Sequence, residues 1–291
     1  GLLEDDAWRQ DIRRKGHVLV IHATSVTPCL MDFLRQCRCW LEELKHNLFF
    51  SFYSELQTAL VQKEAGHANC VTLPRPVNEE LFLRRRPAPL RAEYISYLGF
   101  YTWAKNPHLM LPLMLADLPA PVHIQFYPLG DANVLWFSAL QERRRTEDVI
   151  HARPLKGVEY AEAIFRTRIG LLPYHPSHYA VQASGLLEEY MHAGVPVVVP
   201  RDTWLEHTLR RHEGGGLAFD ANQEGDYLRT TERMCRDYEE HKERAVEAAA
   251  HLDRRNGARA FLDVLRELGE TRTCPDLSRE AWGECGAVRK G

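Results

Sequence analysis

The stretch "YHPSHYAVQASGLLEEYMHAGVPVVVP", from Tyr174 to Pro200, gathers residue types able to hold an anion. Ser184 is placed to cap a helix beginning at Gly185, whose first-turn N–H groups have no partners within the helix. A glycine there lets another group approach those donors closely. A helix N-terminus also favours negative charge, and phosphate is its usual occupant. A serine capping a purely structural helix would read the same way. Glu189 follows Gly185 by four residues and so shares its helix face. Glu188 points roughly 100° away at about 3.6 residues per turn, so the two acids are not expected to form one dyad. Glu188 is expected to be solvated.

The elements that must position these groups follow from hydrophobic periodicity. "HVLVIHA" (17–23) reads as a strand, and "PCLMDFLRQCRCWLEEL" as a helix with Pro28 in its first turn. "LFFSFYSELQTALVQKEAG" is helical or a strand running into a helix, and "ANCVTLP" returns to strand. "PRPVNEELFLRRRPAP" (74–89) is rich in proline and arginine and reads as a linker. Behind it strands and helices alternate: "EYISYLGF", "NPHLMLPLMLADL", "PVHIQFYPLG", "NVLWFSALQERR", "DVIHARPL", "VEYAEAIFRT", "IGLLPY", "SGLLEEYMHAG" and "VPVVVP". From Asp226 to Gly269 the pattern is helical. This alternation predicts an α/β fold with a mainly parallel sheet. Sites in such sheets lie beyond the carboxyl ends of strands, which selects the loops after Leu98, Tyr127, His151, Pro173 and Val199.

"SGLLEEYMHAGVPVVVP" resembles the donor-domain signature of GT-B glycosyltransferases, in particular the large retaining group related to bacterial mannosyl- and glucosyltransferases. The match runs through Glu189, Ala193, Gly194, Pro196, Val197 and Val198. "YISYLGFYTWAKNPHLML" is similar to that group's first donor-domain strand, glycine turn and lysine loop, with Gly99 and Lys105 in those places. "DVIHARPLKGVEYAEAIFRTRIGLLPY" resembles the stretch before the signature, whose loop receives the base. The resemblance covers Tyr94–Asp220.

It implies a GT-B-like architecture in which a Rossmann-type donor domain follows a short or incomplete N-terminal α/β domain. It also implies a nucleotide-sugar donor: Glu189 would accept from the ribose hydroxyls, Lys105 beside Gly99 would neutralise the diphosphate, and backbone donors at Ser184 and Gly185 would take a phosphate oxygen. Neither a metal ion nor an organic cofactor is expected, the nucleotide sugar being a co-substrate. Two positions depart from the group's pattern. Val181 stands where a second glutamate is usual, and Phe100 and Tyr101 where an arginine is usual. Tyr179, with His175 and His178, is the candidate replacement, and Arg201 and the Gly214–Gly216 loop are candidate extra donors. No residue is assigned as catalytic.

The domain reading is a reduced acceptor-side region over 1–88, a donor domain with C-terminal helices over 89–269, and a weakly structured tail over 270–291. The first of these lacks a recognisable glycine-rich loop, and His17 and His22 flank its first strand. The chain is expected to be processed or a fragment, since no methionine opens it.

Composition narrows the partners. A net charge of −3 over 291 residues gives no reason to expect nucleic acid. The basic clusters at Arg84–Pro87 and Glu142–Arg145 read as solvated loops. No apolar run reaches the roughly 18–20 residues of a membrane span, and no signal peptide is evident. Seven cysteines without framework spacing suggest a reducing, cytoplasmic compartment, with Cys37 and Cys39 as buried thiols rather than metal ligands. The leading function is sugar transfer, metal-independent and retaining, to an unidentified glycan, protein or lipid-linked acceptor. The alternative is a non-catalytic nucleotide- or glycan-binding module on the same scaffold. A sugar-nucleotide epimerase would need an acid/base set that the sequence does not reveal, and an unrelated α/β protein would need only the periodicity.

Overall fold

The computed structural model describes residues 5–66, 69–75, 91–99, 102–125, 132–252 and 258–274, the side chains of 132–137 and 258 excepted. Most of the 74–89 linker, Phe100, Tyr101, Tyr127 and the tail after 274 lie outside the described residues. The chain forms two compact units: Gly1–Pro76 with Val181–Ala183 and Asn256–Gly291, and Val77–Ala180 with Ser184–Arg255.

In the first unit α1 (Asp6–Lys15), β1 (Leu19–His22), α2 (Pro28–Gln36), α3 (Arg38–Glu43), β2 (Leu48–Phe52), α4 (Glu55–Ala65) and β3 (Cys70–Thr72) build a parallel sheet of order β1-β2-β3. All five residues of β2 are buried, which explains its largely apolar sequence "LFFSF". The single helix expected over 28–44 is two, because Cys37 leaves the helical series at φ −88°, ψ 9° and bonds back to Phe33 O. Cys37 is buried, but Cys39 is exposed, contrary to the expected pair of buried thiols.

The second unit contains β4 (Tyr94–Tyr97), α5 (Met110–Leu115), β5 (Val122–Gln125), α6 (Ala132–Arg143), β6 (Val149–His151), α7 (Gly157–Phe165), β7 (Thr167–Leu171), α8 (Pro176–Tyr179), α9 (Gly185–His192), β8 (Val197–Pro200), α10 (Trp204–Arg211), β9 (Gly216–Phe219), α11 (Asp226–Arg236) and α12 (Tyr238–Leu252). Its six strands are all parallel, in the order β6-β5-β4-β7-β8-β9. Counted from β4 this is 3-2-1-4-5-6, the Rossmann order, whose direction reverses between β4 and β7. Neither β9 nor α10 was legible as a separate element in the sequence.

The last helix, α13 (Ala258–Thr271), begins inside the expected 89–269 donor region, but its contacts assign it to the first unit. Leu268 is buried against Phe49, Val71 and Leu73, with Phe261, Val264 and Leu265 alongside. Arg145, expected in a solvated loop, is instead tied down. Its guanidinium donates to Leu118 O, Ala120 O and the buried Asp148 carboxylate, which in turn accepts from Val122 N. That network fixes the entry to β5.

Two glycines set helix positions around the sheet. A Cβ on Gly170 in β7 would stand 2.7 Å from the buried Tyr190 ring, so only glycine lets α9 lie this close to the strand. A Cβ on Gly215 would meet His241 O at 1.8 Å. In the Gly214–Gly216 loop, a candidate source of ligand donors, Gly215 is therefore required for packing against α12. It also precedes β9, at the amino end of the sheet rather than the carboxyl end.

Candidate functional site

The strand order reverses between β4 and β7, where sheets of this kind place a crevice at the carboxyl ends, and two loops lie there. The loop after β4 carries Gly99 and a 3₁₀ turn, Trp103–Lys105, closed by Asn106 in the left-handed region at φ 42°. The loop after β7 carries Tyr174, His175, α8 and Ser184. The loops are joined where His175 N–H donates to Ala104 O at 2.8 Å.

α9 shows why the Gly185–Glu189 spacing matters. Leu186, Leu187, Glu188, Tyr190, Met191 and His192 are all buried, leaving Gly185 and Glu189 as the less buried stripe one turn apart. The helix is anchored on both sides. Tyr190 donates to Ser96 O of β4 at 3.3 Å, and Lys242 of α12 donates to Gly194 O at 2.7 Å beside the helix C-terminus. A cation there also suits the helix dipole. Ser184 is the N-cap, its Oγ accepting from Leu187 N at 3.4 Å. Glu188, expected in solvent, is only 8% exposed. Rotation by about 100° took it off the open stripe, onto a face the fold covers.

Lys105 reaches from the first of these loops to the second. Its Nζ lies 5.2 Å from the centre of the Tyr174 ring, within cation–π range. A Cβ on Gly99 would be 3.3 Å from Nζ, so the glycine leaves room for the ammonium to lie over the turn. Burial pushes the Lys105 pKa down, while the negative charge available at Tyr179 and the Glu189 carboxylate pull it back up. Tyr179 stacks on Tyr174 with centroids 4.4 Å apart, and burial pushes its hydroxyl up to about 12. Lys105, Tyr179 and Glu189 are thus electrostatically in touch, although 84 residues separate the first and last in sequence (189 − 105).

Two site residues were not singled out by the sequence. Tyr160 of α7 donates to Glu189 Oε2 at 2.5 Å, and burial followed by the Glu189 charge raises its pKa. Its signal was hidden inside the amphipathic pattern "VEYAEAIF". Tyr174 is buried and supplies the ring under Lys105. Arg201 is exposed just beyond β8, at the carboxyl end of the sheet. Among the described residues no group of three or more His, Cys, Asp or Glu is arranged to hold a metal ion, and no helix is long and apolar enough to cross a membrane.

In sequence, no protein-family model and no curated protein matches the chain. In structure it is similar to Anabaena HepE in complex with UDP and glucose, at TM-score 0.63 and 11% identity over 90% of this chain and 76% of that one. Sucrose-phosphate synthase from Thermosynechococcus elongatus gives TM-score 0.62 at 15% identity, over 86% and 67% of the two chains. The E. coli trehalose-6-phosphate structure bound with UDP-2-fluoro glucose gives TM-score 0.66 at 11% identity, over 90% and 70%. These neighbours are GT-B glycosyltransferases, and the likeness establishes that the chain has their fold.

Proposed function

We propose that the chain is a glycosyltransferase that binds a nucleotide-sugar donor in the β4/β7 crevice and transfers the sugar, with retention and without a metal ion, to an acceptor still to be found. The observation that carries this reading is the convergence of Lys105, Tyr179 and Glu189 at the switch point of a Rossmann sheet. Glu189 would take the ribose hydroxyls, Lys105 the diphosphate, and the N-terminus of α9 at Ser184 and Gly185 a phosphate oxygen. Gly99 would serve by giving Lys105 its room. The fold neighbours supply the first probes, because HepE has been captured with UDP and with UDP-glucose.

The test is titration of the purified chain with nucleoside diphosphates and their sugars, UDP and UDP-glucose first, followed by assay of binders for hydrolysis or transfer. Glu189→Ala is expected to weaken binding by about 1.5–3 kcal/mol, as for lost hydrogen bonds to a charged group. That is about 10- to 150-fold in Kd. Unchanged affinity would remove Glu189 from the site, and absence of any nucleotide binding would sink the reading. A second reading, a binding module without turnover, is favoured by Val181 in the place of an acid. Tight binding with no transfer to any acceptor would select it.

Tyr160 enters as a positioning residue. Its hydroxyl holds one oxygen of Glu189, so Tyr160→Phe is expected to weaken UDP binding about fivefold, near 1 kcal/mol. If it acts through Glu189, it adds nothing further in the Glu189→Ala background. Additive losses in that double-mutant cycle would show a separate role.

A further inference from the structure

The donor reading uses Lys105, Tyr179 and Glu189 but leaves an aromatic cluster on the same two loops without a role. Trp103 is 64% exposed, the most exposed large apolar side chain among the described residues. A single exposed apolar residue is ordinary on a protein surface. This one is framed. The His178 ring stands edge-on to the indole, with centroids 4.1 Å apart at 90°, and His175 is 5.7 Å away at 66°. The two imidazoles are themselves edge-on at 5.9 Å. His175 is held by its N–H to Ala104 O and by a 2.8 Å bond between Nδ1 and Ser177 Oγ. Three rings from two joined loops therefore present an indole whose surroundings are set before any ligand arrives.

The chemistry of this surface is specific. An indole offers a large apolar face at small cost in side-chain entropy. A neutral imidazole donates through one ring nitrogen and accepts through the other, and His175, its Nδ1 held by Ser177, keeps Nε2 for a ligand. A pyranose ring has the complementary surface, with an apolar C–H face and hydroxyls around its edge. Position narrows the choice further. Along a nucleotide sugar the order is base, ribose, diphosphate, sugar. Lys105 is coupled to Tyr174 and Glu189. Trp103 shares Lys105's turn, yet its ring contacts run to His175 and His178. A ligand group on Trp103 is thus next to the diphosphate that Lys105 would take.

We propose that Trp103, framed by His175 and His178, is the stacking platform for a pyranose ring held beside the diphosphate site. The proposal rests on the donor reading above. The ring belongs either to the donor or to the acceptor, and the two sources separate experimentally. The unmodified chain, Trp103→Ala and Trp103→Phe are titrated with UDP, with UDP-glucose, and with glucose after saturation by UDP. Trp103→Ala is expected to leave UDP affinity within twofold. A fivefold to thirtyfold loss confined to UDP-glucose, of the order of one aromatic contact, identifies the donor's ring. The same loss confined to glucose on the UDP-loaded chain identifies the acceptor's ring. Trp103→Phe retains most of the affinity in either case. Equal losses for UDP and UDP-glucose would place the indole under the base or in a structural role, and overturn the platform. So would unchanged affinity for all three probes. If the unmodified chain binds no UDP, the donor reading itself falls and the platform with it, an outcome distinct from failure of Trp103→Ala alone.

Discussion

Lys105→Ala is expected to slow sugar transfer by about 10²- to 10³-fold, the usual consequence of removing a preorganised group aimed at developing charge. The leaving nucleoside diphosphate gains negative charge as the glycosidic bond breaks, and in the proposed reading the Lys105 ammonium faces that charge. Burial makes the ammonium more effective, because the same desolvation that lowers its pKa weakens water's competition for the phosphate. Tyr174 beneath it and Glu189 near it favour the charged form and fix its place. UDP is already charged before reaction, so its affinity is expected to fall by less than the rate does. The measurement is single-turnover consumption of UDP-glucose beside equilibrium binding of UDP. A rate reduced no more than the affinity would mean that Lys105 binds the donor without stabilising the departing group.

The sequence made the local geometry of the candidate residues legible more readily than their surroundings. Ser184 caps α9 as its spacing with Gly185 implies, and the i, i+4 relation of Gly185 and Glu189 survives as the less buried stripe of that helix. Helical geometry is local, so such relations can be read from spacing alone. What covers the other faces is not local. Glu188 was expected in solvent because a helical wheel says which way a side chain points, not what the fold packs there. Tyr160 was missed for the same reason: it reaches Glu189 from a helix 29 residues away in sequence. The strand order, which places the loops after β4 and β7 side by side, is likewise set by long-range pairing. Without it Trp103 and His178 cannot be seen as neighbours. The triple glycine misled in the opposite direction. Its composition suits a ligand loop, but the 1.8 Å approach of a Cβ at Gly215 to the α12 backbone accounts for that glycine by packing.

Acidification is expected to destabilise the second unit through His123, by about 3 kcal/mol between pH 7 and pH 4. His123 lies in β5 and is 6% exposed, with neither ring nitrogen hydrogen-bonded among the described residues. Its neighbours are the Tyr94 ring at 5.2 Å and the His151 ring at 5.1 Å. Burial, then His151 and then Arg166, hold its pKa down from 6.5 to about 4. All three disfavour the imidazolium, so the folded chain keeps His123 neutral where the unfolded chain is already protonated. Between those values the unfolded state binds more protons, and stability falls as the pH falls. The contribution is intact above the unfolded value of 6.5 and is lost by the time the pH reaches the folded value near 4. His151, His108 and His241 are also shifted downward by burial and add to the slope with the same sign. The decisive quantity is therefore the difference between His123→Leu and the unmodified chain, measured by urea unfolding at pH 7, 5.5 and 4. Leucine cannot take a proton, so the variant's stability curve should be flatter across this range. Parallel curves would assign the acid sensitivity to the other histidines and remove His123 as its source.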